Sequence, residues 1–204
     1  MKKAMTISYE VGEGLYLNLT NKCPCACTFC LRQNGDGAYG SDPLWLEHTP
    51  TIEEIKADLS RRDLDSYKQI VFCGYGEPTC ELKLLKETAK WLRSVTKTPL
   101  RLNTNGLSDL INGRGTAPEF EGLLDVISIS LNAPDAEDYT AVTRPSFGEK
   151  SYDAMLKFAS EVKRYVPEVM LTVVDIIGEE QVEKSRKVAE SVGVKLRVRE
   201  YIPD

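Results

Sequence analysis

The 204-residue chain has one histidine, His48, no cysteine after residue 80, no apolar run near membrane-spanning length and no excess of basic charge. Each shortage narrows the chemistry. A single histidine cannot supply the paired imidazoles of a Cys2His2 zinc site. No stretch approaches the roughly 20 apolar residues of a membrane helix. The opening MKKAMTISYEVGEG lacks the apolar stretch of a secretory signal, so a cytoplasmic chain with no membrane partner is expected. A formal net charge of -5 gives no general pull toward nucleic acid. Internal repeats, low-complexity tracts and a domain linker are also missing, which leaves one domain over residues 1–204 as the expectation.

What is present is sulfur in one place. Four of the six cysteines lie in NKCPCACTFCLRQNG, residues 21–35. In a reducing compartment such clustering points to metal ligation or catalysis rather than a disulfide framework.

Around that segment, short apolar runs alternate with helical patterns. LYLNL (15–19), QIVFC (69–73), LRLNT (100–104), VISISL (126–131), EVMLTVVD (168–175) and KLRVREYI (195–202) read as six strands. Helices are expected at IEEIKADLSRR, where Thr51 and Glu54 form a capping box, and at ELKLLKETAKWLRSV. Others are expected at SYDAMLKFASEVKRY and EEQVEKSRKVAESVG, the last closing on Gly193, with a short one near PEFEGLL. Strand followed by helix, repeated, gives an α/β fold with parallel strands and right-handed crossovers. Periodicity leaves open a doubly wound sheet or a partial barrel; either puts function at the carboxyl ends of the strands.

Cys23, Cys27 and Cys30 form C-x3-C-x2-C just beyond the first strand, with Cys25 out of register. Three thiolates on one loop suit an iron-sulfur cluster whose fourth iron stays open. This segment, with Phe29 at the aromatic position of C-x3-C-x-aromatic-C, closely resembles the radical S-adenosylmethionine (radical SAM) superfamily. Within it, the series of motifs looks most like the small family associated with TatD-type nucleases. The resemblance implies a partial (βα)6 TIM-like barrel, a [4Fe-4S] cluster on Cys23, Cys27 and Cys30, and S-adenosylmethionine as second cofactor.

The resemblance extends along the chain. GYGEP (Gly74, Tyr75, Gly76, Glu77, Pro78) stands where the family's glycine-rich turn receives the methionyl amine; glycines permit close approach of carbonyls and Glu77 offers a charged acceptor. NTNG, with Asn105, matches a segment facing the cofactor, although Asn and Gly are also ordinary turn residues. Ser128, Ser130 and Asn132 alternate with Ile127, Ile129 and Leu131; a polar row suits a ribose or carboxylate, and equally suits solvent. Arg144 is implied as a bidentate partner for the cofactor carboxylate, with a plain surface arginine as the alternative. VVDIIGEEQ resembles the adenine-binding segment through Ile176 and Gly178, while Val174 and Gln181 depart from it. Cys73 reads as a small core residue. Cys80 reads as a thiol at a helix N-terminus, with lowered pKa. His48 reads as a loop residue, and Trp45 beside it as a cover for the site.

By resemblance, the reduced cluster splits the cofactor's sulfonium, and the 5'-deoxyadenosyl radical abstracts hydrogen from a substrate. That substrate, a small molecule or a protein, is not encoded in the motifs; a flavodoxin or ferredoxin is the implied reductant. The alternatives are a small activase that creates a glycyl-type radical on a partner protein, and a non-catalytic electron carrier with Cys25 as fourth ligand. The carrier strains sterically, because C-x-C-x-C neighbours must reach separate corners of one cube, and it leaves GYGEP and Arg144 unexplained.

Overall fold

The structure, a computed structural model, describes residues 1–200. A hairpin opens it: β1 (Ser8–Val11) pairs antiparallel with β2 (Gly14–Leu17), turning at Gly12, whose φ of +56° a side chain would disfavour. Parallel strands follow: β3 (Gln69–Phe72), β4 (Leu100–Thr104), β5 (Val126–Ser130), β6 (Glu168–Val174) and β7 (Lys195–Arg199). The expected sixth parallel strand is β7; its residues Tyr201 and Ile202 lie outside the described part. The sequence reading missed β1.

Spatial order equals chain order, β1 through β7. There is no reversal of direction, which rules out the doubly wound arrangement. With every crossover of one hand, all helices fall on one face and the other face curls inward as a partial barrel. The helix-side face carries Leu15, Leu17, Ile70, Phe72, Leu100, Leu102, Ile127, Ile129, Leu171 and Val173, all fully buried in one core. Their alternating neighbours, among them Arg101, Asn103, Ser128, Ser130 and Thr172, face the concave side.

The covering helices are α1 (Ile52–Leu59), α2 (Leu82–Val95), α3 (Ser108–Asn112), α4 (Ala136–Thr143), α5 (Lys150–Val162) and α6 (Glu179–Val192). The α1 capping box is present: Glu54 N donates to Thr51 Oγ1 and Thr51 N to Glu54 Oε2. Gly193, at φ +75°, ends α6 as read. The segment near PEFEGLL is a 3-10 turn, Ala117–Phe120. Helices α3 and α4 were not foreseen. Among the described residues, no helix is long and apolar enough to cross a membrane.

Candidate functional site

The cysteine loop leaves the carboxyl end of β2 and is held from both sides by backbone bonds. Ala26 N donates to Thr143 O at 3.0 Å and Thr28 N to Val142 O at 2.9 Å, so the loop satisfies carbonyls that the end of α4 leaves without helical partners. Ser146 N donates to Pro24 O at 2.8 Å. Cys30 precedes a 3-10 turn, Leu31–Gln33, and Gln33 Nε2 returns to Cys27 O at 2.6 Å.

All four thiols of the loop are half-buried. Cys25 packs against the core and accepts from Asn105 Nδ2 at 3.7 Å. Its thiol hydrogen-bonds Cys23 and Cys27, which draws both of those below the ordinary thiol range and pushes Cys25 far above it. Burial raises Cys30. Metal ligation needs thiolates, and Cys23, Cys27 and Cys30 bring three thiols to one loop while Cys25 packs against the core. Among the described residues no three His, Cys, Asp or Glu side chains converge on a point that one metal ion could occupy. The fit to a cluster therefore rests on donor chemistry, three thiols within one loop.

The glycine turn after β3 is built against this loop. A Cβ on Gly74 would lie 2.2 Å from Asn18 Oδ1, and one on Gly76 would lie 2.2 Å from Thr20 O and 2.7 Å from Lys22 O. These glycines let the turn press on the entry to the cysteine loop, and Glu77 N locks it there by donating to Lys22 O at 2.8 Å. Lys22 also pairs with Glu81 at 2.8 Å.

Glu77, 4% exposed, is committed to internal donors. Its Oε1 accepts from Thr79 N, Thr79 Oγ1 and Thr104 Oγ1 at 3.1, 2.7 and 2.7 Å, and its Oε2 from Asn105 N at 2.7 Å. The carboxylate thus ties the β3 turn to the end of β4. Burial pushes its pKa up, and these hydrogen bonds pull the other way. Tyr75 is buried in a second small cluster with Tyr9, Ala38 and Leu44: its hydroxyl bonds Gly35 O and Gly37 O, and its ring meets Trp45 edge-on at 5.2 Å. Tyr75 and Trp45 therefore pin the loop after the cysteines. Pro78 is buried at the start of a 3-10 turn.

The remaining expected residues ring the same end of the sheet. Phe29 and Ser130 are half-buried. Asn132 adopts φ +63°, which asparagine tolerates, and its Oδ1 is buried with no partner among the described residues. Such an orphan acceptor is what a missing ligand would satisfy. Arg144 closes α4 at φ +44° and is exposed. Ile176 is 61% exposed in a turn after β6.

Two cysteine readings need correction. Cys73 sits outside the helix-side core, hydrogen-bonded to Asn103 on the concave side. Cys80 is pushed up to about 12, by burial first and Glu77 second, instead of down. His48 stays a loop residue, 2.9 Å from Glu54.

Sequence reading also missed the residues that brace the site. Buried Asn18 donates to Leu44 O at 2.7 Å and accepts from Tyr75 N, while Asn21 makes a reciprocal pair with the backbone of Leu46 at 2.8 and 2.9 Å. Thr104 links Glu77 to Gly106 N. An asparagine at the end of an apolar strand was the available signal, since a buried amide demands partners.

Residues 17–189 match the family model described as the Radical SAM superfamily. A GTP 3',8-cyclase of Rhodococcus opacus is 26% identical over 137 residues, 66% of this chain. The chain spans only 36% of that relative's length. A radical SAM methyltransferase structure from Sphaerobacter thermophilus superposes with TM-score 0.61 at 18% identity, over 95% of this chain and 57% of that one. Streptococcus suis SuiB, solved bound to the precursor peptide SuiA, gives TM-score 0.65 at 15% identity, over 93% and 39%. At these identities the two structures speak to fold alone.

Proposed function

The chain belongs to the radical SAM superfamily, and from that premise we propose that Cys23, Cys27 and Cys30 hold a [4Fe-4S] cluster with one iron left for S-adenosylmethionine. Family membership makes it an enzyme of radical SAM type. A cluster held by Cys23, Cys27 and Cys30 would supply the electron for reductive cleavage of S-adenosylmethionine, and the cleaved cofactor would supply the hydrogen-abstracting group.

This chain's residues then position and protect. Cys25, packed against the core and hydrogen-bonded by Asn105 Nδ2, stays off the metal. The Gly74–Tyr75–Gly76–Glu77–Pro78 turn offers backbone carbonyls to the methionyl ammonium, and Glu77 holds that turn rigid against Asn105. Phe29, Asn105, Ser130, Asn132 and Ile176 meet the nucleoside, with Arg144 for the carboxylate. A flavodoxin- or ferredoxin-type protein delivers electrons. The relatives support two substrate classes: the cyclases are named for a nucleotide, and SuiB was solved with a peptide. The motif series also favours the small family associated with TatD-type nucleases.

One observation carries the reading. The cysteine loop and the glycine turn are locked together by Glu77 N to Lys22 O, at the carboxyl ends of adjacent parallel strands. The test is anaerobic reconstitution with iron and sulfide, then measurement of 5'-deoxyadenosine released from S-adenosylmethionine on reduction. Release that disappears in Cys27→Ala supports the proposal; a cluster-loaded protein that releases none refutes it.

A further inference from the structure

Three arginines share the concave face, below and across from the cysteine loop. Arg101 on β4 is half-buried and aligned by two bonds: Nε donates to Asn103 Oδ1 at 2.9 Å and Nη2 to Ser128 Oγ at 2.6 Å. Arg197 and Arg199 alternate along β7, level with Thr172 and Val174 of β6, and Thr172 is level with Ser130 of β5. The positive charges of Arg197 and Arg199 both act on the Arg101 guanidinium, and that of Arg199 also acts on Cys73, just past the end of β3. The group therefore spans the open mouth of the partial barrel.

What sets these arginines apart is their shared place on the concave face, since Arg32, Arg61, Arg144 and Arg164 also have no carboxylate partner among the described residues. Arg62, Arg93, Arg114 and Arg186 each pair with a carboxylate. Among the described residues, Arg101, Arg197 and Arg199 pair with none, although the chain has 31 acidic residues against 26 basic ones. Arg199 Nε is buried without an acceptor. Arg101 and Arg199 are half-buried and Arg197 exposed; like charges brought together there repel, and a buried donor without an acceptor is costly. Both penalties are relieved by an oxyanion, whose paired oxygens match the guanidinium fork. The Thr172 hydroxyl stands level with Arg197 and can add a neutral contact.

We propose that Arg101, Arg197 and Arg199 form a binding site for an anionic group of the substrate, a phosphate or a carboxylate. The role as a substrate site rests on the radical reading above, whereas anion binding itself does not. Anchored there, the substrate projects its reacting C–H toward the carboxyl ends of the strands, where the cysteine loop lies.

The test is calorimetric titration of inorganic phosphate, pyrophosphate and acetate into anaerobically reconstituted full chain, alongside Arg197→Gln and Arg199→Gln. Both positions lie on an edge strand, so folding is checked by circular dichroism and 5'-deoxyadenosine release is measured on the same preparations. The proposal expects saturable binding weakened by about tenfold or more in each variant, with cofactor cleavage retained. Phosphate favoured over acetate indicates a phosphorylated substrate, and parity indicates a carboxylate; both support the site. Absence of saturable binding, or affinities unchanged in both variants, overturns it. Loss of cofactor cleavage in the variants together with anion binding also overturns it, by assigning the arginines to the cofactor. Anion binding lost in the variants from a chain that never cleaves S-adenosylmethionine supports the site and refutes only the radical reading.

Discussion

Replacing Glu77 by glutamine separates a bracing role from direct contact with the cofactor. Four internal donors converge on this carboxylate, three on Oε1 and one on Oε2. A glutamine can present its carbonyl to the three, but its NH2 then faces Asn105 N, two donors nose to nose. One buried backbone N–H loses its acceptor, at roughly 1–3 kcal/mol, and the other bonds lose their charge assistance. The expected loss is about 2–4 kcal/mol, or roughly 5–15 °C in Tm for a chain of this size. Urea unfolding of the apoprotein measures it, with an unchanged m-value confirming that the same transition is compared. The sign of the pH dependence follows from burial. A carboxyl raised above its unfolded value contributes stability that is fully present below the unfolded pKa and lost as pH rises through the folded one. The gap between wild type and Glu77→Gln therefore widens as pH falls from neutrality. A variant within about 0.5 kcal/mol of wild type that has nevertheless lost cofactor affinity would refute the bracing argument.

Gly76→Ala drives a methyl group into Thr20 O and should cost about 1–3 kcal/mol while loosening the cysteine loop, read as lower iron retention after gel filtration. Cys25→Ala should keep its iron and sulfide, whereas Cys23→Ala, Cys27→Ala and Cys30→Ala should lose them; the opposite pattern for Cys25 and Cys27 would reverse the ligand assignment. Asn21→Ala removes both bonds to Leu46, so limited proteolysis should accelerate between residues 34 and 42 while the melting of the remainder shifts little.

Much of the fold was legible because parallel strands in this chain announce themselves as short branched runs between amphipathic helices. Five of the six predicted strands match to within two residues, and the sixth extends past the described part. Helical and strand periodicity does not separate a barrel from a doubly wound sheet. The alternation in LRLNT and VISIS nevertheless carried the answer, since a sheet covered by helices on both faces would have had little room for Arg101, Asn103, Ser128 and Ser130. Strand β1 was missed because SYEV is four residues long and the Gly12 turn that joins it to its partner β2 reads as a loop. Helix α4 was missed for want of an amphipathic stripe; it is held by the Asp135 cap and by what docks at its end. In the site, spacing alone drew attention to Cys23, Cys27 and Cys30. The work of Glu77, Tyr75 and the two turn glycines was hidden, because each depends on partners 27 to 57 residues distant in sequence, such as Asn18 and Thr104.

The most direct measurement is Mössbauer spectroscopy of protein reconstituted without oxygen with enriched iron, recorded before and after adding S-adenosylmethionine. The account predicts a [4Fe-4S] spectrum in which one iron alone changes its signal when the cofactor arrives, in wild type and in Cys25→Ala alike. A spectrum without that cluster, or one whose irons are all indifferent to the cofactor, would contradict it.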